Sequence, residues 1–514
     1  MHVYPDKKVL DCTSQLQNSI MSLPRHWPKT LQSWVGGRML ASSSGSMIPV
    51  ISSATGEQVC QYQAAGTTDI DSAVAVAHQA QIEWAKCSPT ARGRILTKCA
   101  ELLTKENDYL AGLETLDTSR PIQETNCVDI VSARDAFEYY GGIASTIGGD
   151  FIHQPGRSFA YTVREPLGVT CGIGAWNYPI QSAGWKGAPS LACGNSILFK
   201  PSEATPLTAL AMAEVLQQAG LPDGLFNVIL GARSTGEDLV NHIGIKKVSF
   251  TGSQGTGKAI FKSSSDSLKK LQMELGGKSP FIVFEDADME QAVSGALMAN
   301  FYSTGQVCSN GTRVFVQSSI KEEFTKEFVR RAALIKLGDP TDLATQMGPL
   351  IHHQHLDHVM EYIEIGKNEG ATLLTGGERV KMTGKLAKGP YISPAIFDNC
   401  HDDMRIVREE IFGPVAAILS FETEEEVIRR ANDTVYGLSA GVFTKDLQRA
   451  HRVIRDIDAG TTWINNYNLA PAELPWTAHK GSGMGVSNGI YGVDDWTQLK
   501  SCYVEMDRIY CPYE

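Results

Sequence analysis

The chain has 514 residues, too long for one ordinary core and enough for two or three domains. Its hydrophobic content of 42% and charged content of 20% are those of a globular protein, and a net charge of −11 without a basic run argues against a nucleic-acid partner. Eleven cysteines without regular spacing read as reduced thiols. No apolar run approaches the roughly 18 residues of a membrane span, and residues 1–30 resemble neither a secretory nor an Arg-rich transit segment, so a cytoplasmic setting without a membrane partner is expected.

In chain order, residues 1–31 read as an extension, and Trp34 to Arg38 (WVGGR) opens the globular part. Val50 to Glu57 is strand-then-turn chemistry, punctuated by Gly56. Apolar residues at helical spacing predict helices over 69–88, 91–113 and 130–143. Phe151 to Glu165 alternates and contains Pro155-Gly156, a β-arm of the kind that pairs with another subunit. From Val169 onward strands (169–173, 196–200, 225–230, 247–250) alternate with helices (207–219, 237–242), the pattern of a doubly wound parallel sheet. A second such run places strands at 281–284, 312–316, 372–375 and 415–420, with helices at 289–302, 321–335, 355–368 and 424–431. The tail 496–506 reads as a strand able to partner the arm.

The chemistry concentrates in a few stretches. Phe301 to Arg313 (FYSTGQVCSNGTR) sets Cys308 among Gly, Asn and small polar residues, where backbone N–H groups favour the thiolate nucleophile. A buried, inert cysteine is the alternative. Leu271 to Pro280 (LQMELGGKSP) holds Glu274 before two glycines, and an apolar flank would raise that carboxyl toward neutrality, as a general base needs. Phe250 to Lys258 (FTGSQGTGK) is a glycine loop, either a turn or a phosphate site; Ala259 stands where a nucleotide triphosphatase needs Ser or Thr. Phe199 to Glu203 (FKPSE) puts Lys200 and Glu203 past a strand's carboxyl end, either as a surface ion pair or against a ligand. Ile173 to Pro179 (IGAWNYP) offers Trp176 and the Asn177 amide, a turn or an oxyanion donor. The histidines of IHHQHLDH (351–358) and the sequons at Asn310 and Asn432 are assigned no metal and no glycan.

MELGGKSP followed by GQVC, with FTGS, FKPSE, AWNYP and EEIFGPV in the same order, resembles the aldehyde dehydrogenase superfamily over roughly residues 32–506. The likeness implies an α/β fold with a Rossmann-type NAD-binding domain (32–147 and 167–275), an α/β catalytic domain (276–480) and a small β oligomerisation arm (148–166 and 488–514). It implies Cys308 as nucleophile, Glu274 as base, Asn177 and the Cys308 N–H as the oxyanion hole, and Lys186 on the water path to the base. Lys200 and Glu203 would hold the adenosine ribose, which favours NAD over NADP. Gly252 and Ser253 would face the pyrophosphate, and Trp176, Glu410 and Phe412 would lie at the nicotinamide end.

YTVREPLGVTCGIGAWNYP and GALMANFYSTGQVCSNGTRVFVQ resemble the branch that oxidises betaine aldehyde and 4-trimethylaminobutyraldehyde. There Tyr178, Trp185, Tyr302 and Trp476 would box a trimethylammonium group. One stretch departs: PWTAHKGSGMGVSN (475–488) stands where the branch has PFGGYKKSGFGREN, with Thr477-Ala478 for two glycines and Val486-Ser487 for Arg-Glu. An aminoaldehyde or broad-range dehydrogenase and a non-catalytic scaffold are the alternatives, and a coenzyme A-acylating enzyme is disfavoured by Glu274. The arm and tail imply a homodimer or tetramer.

Overall fold

The computed structural model describes residues 23–24, 26–42 and 46–513. Most of the 1–31 extension lies outside these. Its end, however, belongs to the fold: the buried Trp27 donates its indole N–H to Glu214 Oε1 (2.7 Å), and Thr30–Leu31 pairs in parallel with Gln58–Gln63. The globular part therefore begins before Trp34, because Trp27 and Leu31 bury apolar surface that a solvated extension would expose.

Two sheets organise the molecule. The first has eight strands, and its parallel centre runs Lys270–Glu274, Ile245–Thr251, Val169–Ile173, Ser196–Lys200, Phe226–Val228. Val169–Ile173 and Ser196–Lys200 are buried at every position, because helices cover both faces. Chain order reverses at Val169–Ile173, which lies between Ile245–Thr251 and Ser196–Lys200. Ligands of open α/β sheets bind beyond the carboxyl ends at that reversal, and Trp176, Asn177, Gly252 and Ser253 follow those ends here.

The second sheet has seven strands in the order Thr372–Thr375, Ala395–Asp398, Val415–Phe421, Arg313–Gln317, Pro280–Val283, Ser439–Phe443, Thr461–Ile464, all parallel but the first. Five residues carry the chain from Glu274, last residue of a first-sheet strand, to Pro280, first residue of a second-sheet strand. Glu274 therefore leaves one sheet where the other begins.

Helices follow the apolar spacing closely at Thr67–Lys86 and Ile130–Ile143. The stretch expected as one helix over 91–113 is two, Pro89–Lys105 and Asn107–Thr118, broken at Glu106. The arm is a three-stranded sheet in which Phe159–Pro166 pairs antiparallel with Thr497–Val504 on one side and Phe151–His153 on the other. Among the described residues no helix is long and apolar enough to cross a membrane.

Candidate active site

The Cys308 loop follows the helix Met289–Phe301 through a turn in which Ser303 (φ 52°) and Thr304 (φ 56°) adopt left-handed backbone. Non-glycine residues hold that conformation only where neighbours over-determine it. Here Ser303 Oγ donates to Glu124 (3.2 Å) and Thr304 Oγ1 to the Gly348 carbonyl (3.1 Å).

Beneath the loop runs the Gly276-Gly277 pair. A Cβ on Gly277 would lie 2.6 Å from the Cys308 carbonyl oxygen, and one on Gly276 would lie 2.0 Å from Glu410 Oε2. The Gly277 N–H donates to Glu410 Oε1 (3.2 Å). The two glycines thus let two expected site residues, the Cys308 backbone and the Glu410 carboxylate, approach the turn that begins two residues past Glu274. Asn177 reaches the same loop by donating Nδ2–H to the Gln306 carbonyl (2.9 Å), which leaves its second amide proton for another acceptor.

Electrostatics separate these groups. Burial pushes the Cys308 thiol up to about 12, and the Glu410 and Glu274 carboxylates push the same way. This corrects the expectation of a resting thiolate: local N–H groups lower the thiol, but the two carboxylates and the loss of solvent win. Burial raises Glu274 to about 7 against the opposing pull of Ser487, Lys186 and Trp476. Burial also lowers Lys186 to about 8, opposed by Glu274. Lys186 Nζ donates to Thr251 Oγ1 (2.7 Å), the register partner of Glu274 on the adjacent strand. A carboxyl poised near neutrality beside a nucleophile is the pattern of general-base catalysis.

Of the residues expected at the cofactor, Lys200 ends its strand and Gly252 and Ser253 follow directly on theirs. Lys200 is buried, donates to the Pro201 carbonyl (3.1 Å) and lies 3.9 Å from Glu203 Oε2. Ser253 caps the helix Gln254–Ser264 by accepting from the Thr256 N–H (3.3 Å), and the Gly252 N–H donates to the Glu274 carbonyl (3.0 Å). Phe412 (φ 58°) sets its ring edge-on to Trp176, with centroids 5.3 Å apart. His355 holds this corner, with Nε2 2.7 Å from the Phe412 carbonyl, and burial lowers it to about 4. That histidine of the IHHQHLDH stretch therefore supports a loop. Among the described residues no group of three His, Cys, Asp or Glu is placed to hold a metal ion.

The four aromatic candidates form two pairs. Trp185 meets Trp476 edge-on at 5.9 Å, and Trp463 packs behind Trp476 at 6.1 Å. Tyr178 and Tyr302 flank the buried Arg120 guanidinium, 4.2 and 5.9 Å from their ring centroids. Tyr178 caps the helix that carries Trp185 two turns on, which puts the pairs along one helix face. Arg120 and its partners Glu124 and Asp129 escape sequence reasoning. Burial disfavours the Arg120 charge, yet Asp129, Tyr178 and Glu124 outweigh it and keep it cationic. The π-helical turn Thr125–Asp129, which carries one of these carboxylates, leaves no trace in the hydrophobic period.

Residues 39–502 match the sequence profile of the aldehyde dehydrogenase family. The chain is 54% identical over 480 residues to the betaine aldehyde dehydrogenase of Brucella anthropi, covering 93% of this chain and 98% of that one. The homologue of Brucella ovis is 53% identical with the same coverage. Among solved structures, betaine aldehyde dehydrogenase of Staphylococcus aureus in complex with NAD+ superposes with a TM-score of 0.92 at 35% identity, covering 100% of both chains. An aldehyde dehydrogenase of Bacillus cereus gives 0.90 at 39%, over 93% of this chain and 97% of that one. A cysteine loop, a near-neutral carboxyl and a strand-end crevice joined at the edge of two sheets, matched over this length, make the chain a member of the aldehyde dehydrogenase family.

Proposed function

We propose that this protein oxidises an aldehyde to its carboxylic acid with NAD, and that its substrate carries a trimethylammonium group, as betaine aldehyde and 4-trimethylaminobutyraldehyde do. The observation that supports the chemistry best is the convergence of the Cys308 backbone and the Glu410 carboxylate on the Gly276-Gly277 turn, two residues past Glu274. The crevice residues suit the cofactor: the Lys200 amine and Glu203 carboxylate, 3.9 Å apart, match the paired hydroxyls of a ribose, and a carboxylate there repels a 2′-phosphate. Ser253 and its helix would take the pyrophosphate, and Trp176, Glu410 and Phe412 the nicotinamide end. NAD, when bound, accepts the hydride that leaves the substrate carbon.

The chain's own residues do the rest. A thiol held up near 12 must lose its proton before attack, and Glu274 at about 7 is the acceptor. The Cys308 sulfur bonds to the carbonyl carbon, and the resulting oxyanion is held by the free amide proton of Asn177 and the Cys308 N–H. After oxidation a thioester remains. Glu274, once the thiol proton has passed from it to solvent, takes a proton from water; the oxygen adds to the acyl carbon, and the C–S bond breaks to release the acid and return the sulfur as thiolate. Lys186, lowered to about 8, holds a second exchangeable proton near the base. A hydrolytic base at Glu274 favours this over acyl transfer to coenzyme A.

For the substrate, the Trp185–Trp476 pair offers ring faces, and buried Glu124 and Asp129 outnumber Arg120 beneath Tyr178 and Tyr302. Cation–π contact supplies roughly 0.5–2 kcal/mol per desolvated ring, enough to prefer a cation over a neutral aldehyde of equal size. A specific observation favours the rival reading of a broad aldehyde tunnel: Arg120 already occupies one face of Tyr178. The test is kcat/KM for betaine aldehyde and 4-trimethylaminobutyraldehyde against neutral aldehydes of matched length, in wild type and Trp476→Ala, with Cys308→Ser as the blank. A selective loss for the cationic substrates of about tenfold is expected in Trp476→Ala. Equal loss for both classes supports the broad tunnel, and correct folding without NADH from any aldehyde supports a scaffold.

Self-association through the arm completes the reading. Phe151, Ile152, Tyr161, Val163, Leu499 and Tyr503 expose apolar surface on a small sheet with two open edges. A dimer or tetramer in the cytoplasm, where the free thiols stay reduced, fits this surface.

A further inference from the structure

The stretch 475–488, which departs from the related branch, folds against the strand that ends in Glu274. Gly483 pairs with Glu274 and Met484 with Met273, antiparallel. Trp476–Thr477 and Val486–Ser487 form a short hairpin in which Trp476 faces Ser487 across the ladder. Ser487 Oγ donates to Glu274 Oε1 at 2.8 Å. Behind it Gln272 Nε2 donates to Ser487 Oγ (3.1 Å) and to the Val486 carbonyl (2.6 Å), and Ser249 Oγ donates to Gln272 Oε1 (2.8 Å). Ser249 and Gln272 are register partners on adjacent strands, as are Thr251 and Glu274, so the four share one face of the sheet. All four donors and acceptors in the Ser249–Gln272–Ser487–Glu274 chain are buried.

The order of donation matters. Ser249 turns the Gln272 amide so that its NH₂ faces Ser487, and that N–H fills a lone pair on Ser487, whose own proton then points at Glu274. An amide interrupts proton transfer, so the chain orients and does not conduct. Glu274 Oε2, by contrast, has no hydrogen-bond partner among the described residues.

We propose that Ser487 is a positioning residue for Glu274: its hydroxyl ties one carboxylate oxygen to the sheet and leaves the other as the face that works as the base. The proposal rests on reading Glu274 as the base of thioester hydrolysis. A hydroxyl donor also favours the ionised carboxylate, whereas the glutamate found at this place in the related branch would set a like charge against it. The other groups facing Glu274 are Lys186 from the helix Pro179–Ala192, Asp495 from Gly492–Trp496, the Trp476 indole from the hairpin, and the Cys308 thiol. Lys186 and Trp476 act with Ser487, and Asp495 acts against it.

The experiment follows the Glu274 carboxyl in the full-length protein by infrared titration, its protonated band identified by loss in Glu274→Gln, in wild type, Ser487→Ala and Ser487→Thr. The midpoint in Ser487→Ala rises by about one unit, so that the ionised fraction at pH 7 falls roughly fivefold; Ser487→Thr restores it. In stopped-flow assays with NAD and aldehyde, the steady NADH phase after the burst falls by the same factor in Ser487→Ala at pH 7 and converges with wild type above pH 9. An unchanged midpoint, a Thr variant that behaves as Ala, or a rate loss equal at every pH overturns the proposal. If Ser487→Ala does not fold, Ser487→Cys, a weaker donor of similar size, is read by the same criteria. A wild type that gives no NADH with any aldehyde refutes the dehydrogenase reading instead, and the infrared midpoint alone then decides whether Ser487 sets the carboxyl.

Discussion

Gly277→Ala and Gly276→Ala differ by one methyl group at adjacent positions, yet the structure separates their effects. At Gly277 the new Cβ lies 2.6 Å from the Cys308 carbonyl oxygen, while ordinary contact begins at 3.4 Å. The obstacle is backbone, so it cannot rotate aside, and the cysteine loop must move by about 0.8 Å. A displacement near 1 Å in a reacting group costs about 10²-fold in rate, or ~2.7 kcal/mol of barrier. At Gly276 the Cβ lies 2.0 Å from Glu410 Oε2, the far end of a flexible side chain that can swing away. Gly276→Ala therefore spares the sulfur and disturbs whatever Glu410 holds. The assay is the NADH burst under single-turnover conditions, together with the alkylation rate of Cys308 by iodoacetamide without cofactor. Gly277→Ala is expected to slow the burst about 10²-fold and to change alkylation, whereas Gly276→Ala raises KM for NAD and leaves alkylation at the wild-type rate. A folded Gly277→Ala enzyme with a wild-type burst would refute the claim that this glycine sets the position of the nucleophile.

Glu274→Gln is expected to lose thioester hydrolysis by about 10²–10⁴-fold, seen as a burst without steady turnover. The same variant should be the more stable protein at pH 8: the folded carboxyl sits near 7 and the unfolded one near 4.5, so the stabilising protonated form is fully present below 4.5 and is lost as pH rises through 7. The penalty at pH 8 is ~3 kcal/mol at most, and thermal melts from pH 5 to 8 should show the variant's advantage growing with pH. Arg120→Met leaves Asp129 and Glu124 buried without their cation and should destabilise by about 3–5 kcal/mol in urea unfolding; a change under 1 kcal/mol would mean those carboxyls are already neutral.

Much of the fold is legible because its signals are local. The strands Val169–Ile173 and Ser196–Lys200 are short runs of mainly β-branched and apolar residues followed by turn residues, and the arm alternates along Phe159–Pro166. The helix Pro179–Ala192 is not legible in that way. It is buried at twelve of its fourteen positions, so it has no polar face to mark a period, and Gly184, Gly187 and Pro189 argue against a helix. Gly184 is there because a Cβ would lie 2.8 Å from the Ala133 backbone. Tight packing of two helices chose the residue that lowers helix propensity.

The site is legible as residues and much less so as electrostatics. Cys308, Asn177, Glu274 and Glu410 stand in recognisable stretches, and the structure brings their loops together. What sets their proton affinities comes from elsewhere in the chain. Local backbone donors around Cys308 suggest a thiolate, but burial, and then Glu410 and Glu274 arriving from other elements, push the thiol the other way. The 475–488 stretch shows the same limit from the other side: read by itself it is only a departure from the related branch. Placed on the strand Lys270–Glu274, it becomes the wall beside the base, since Trp476 and Ser487 face each other across one hairpin and both act on Glu274. The consequence is a coupling. Trp476, proposed to face the substrate's cation, and Ser487, proposed to set the base, share one two-residue ladder, so a change made at Trp476 to alter substrate preference should also shift the pH dependence of hydrolysis. Trp476→Phe separates the two: it keeps an aromatic face while removing the indole that favours the ionised Glu274, and the expected outcome is a shift in the pH dependence of the steady NADH phase without loss of preference for trimethylammonium substrates; an unchanged pH dependence would show that Trp476 does not act on the base.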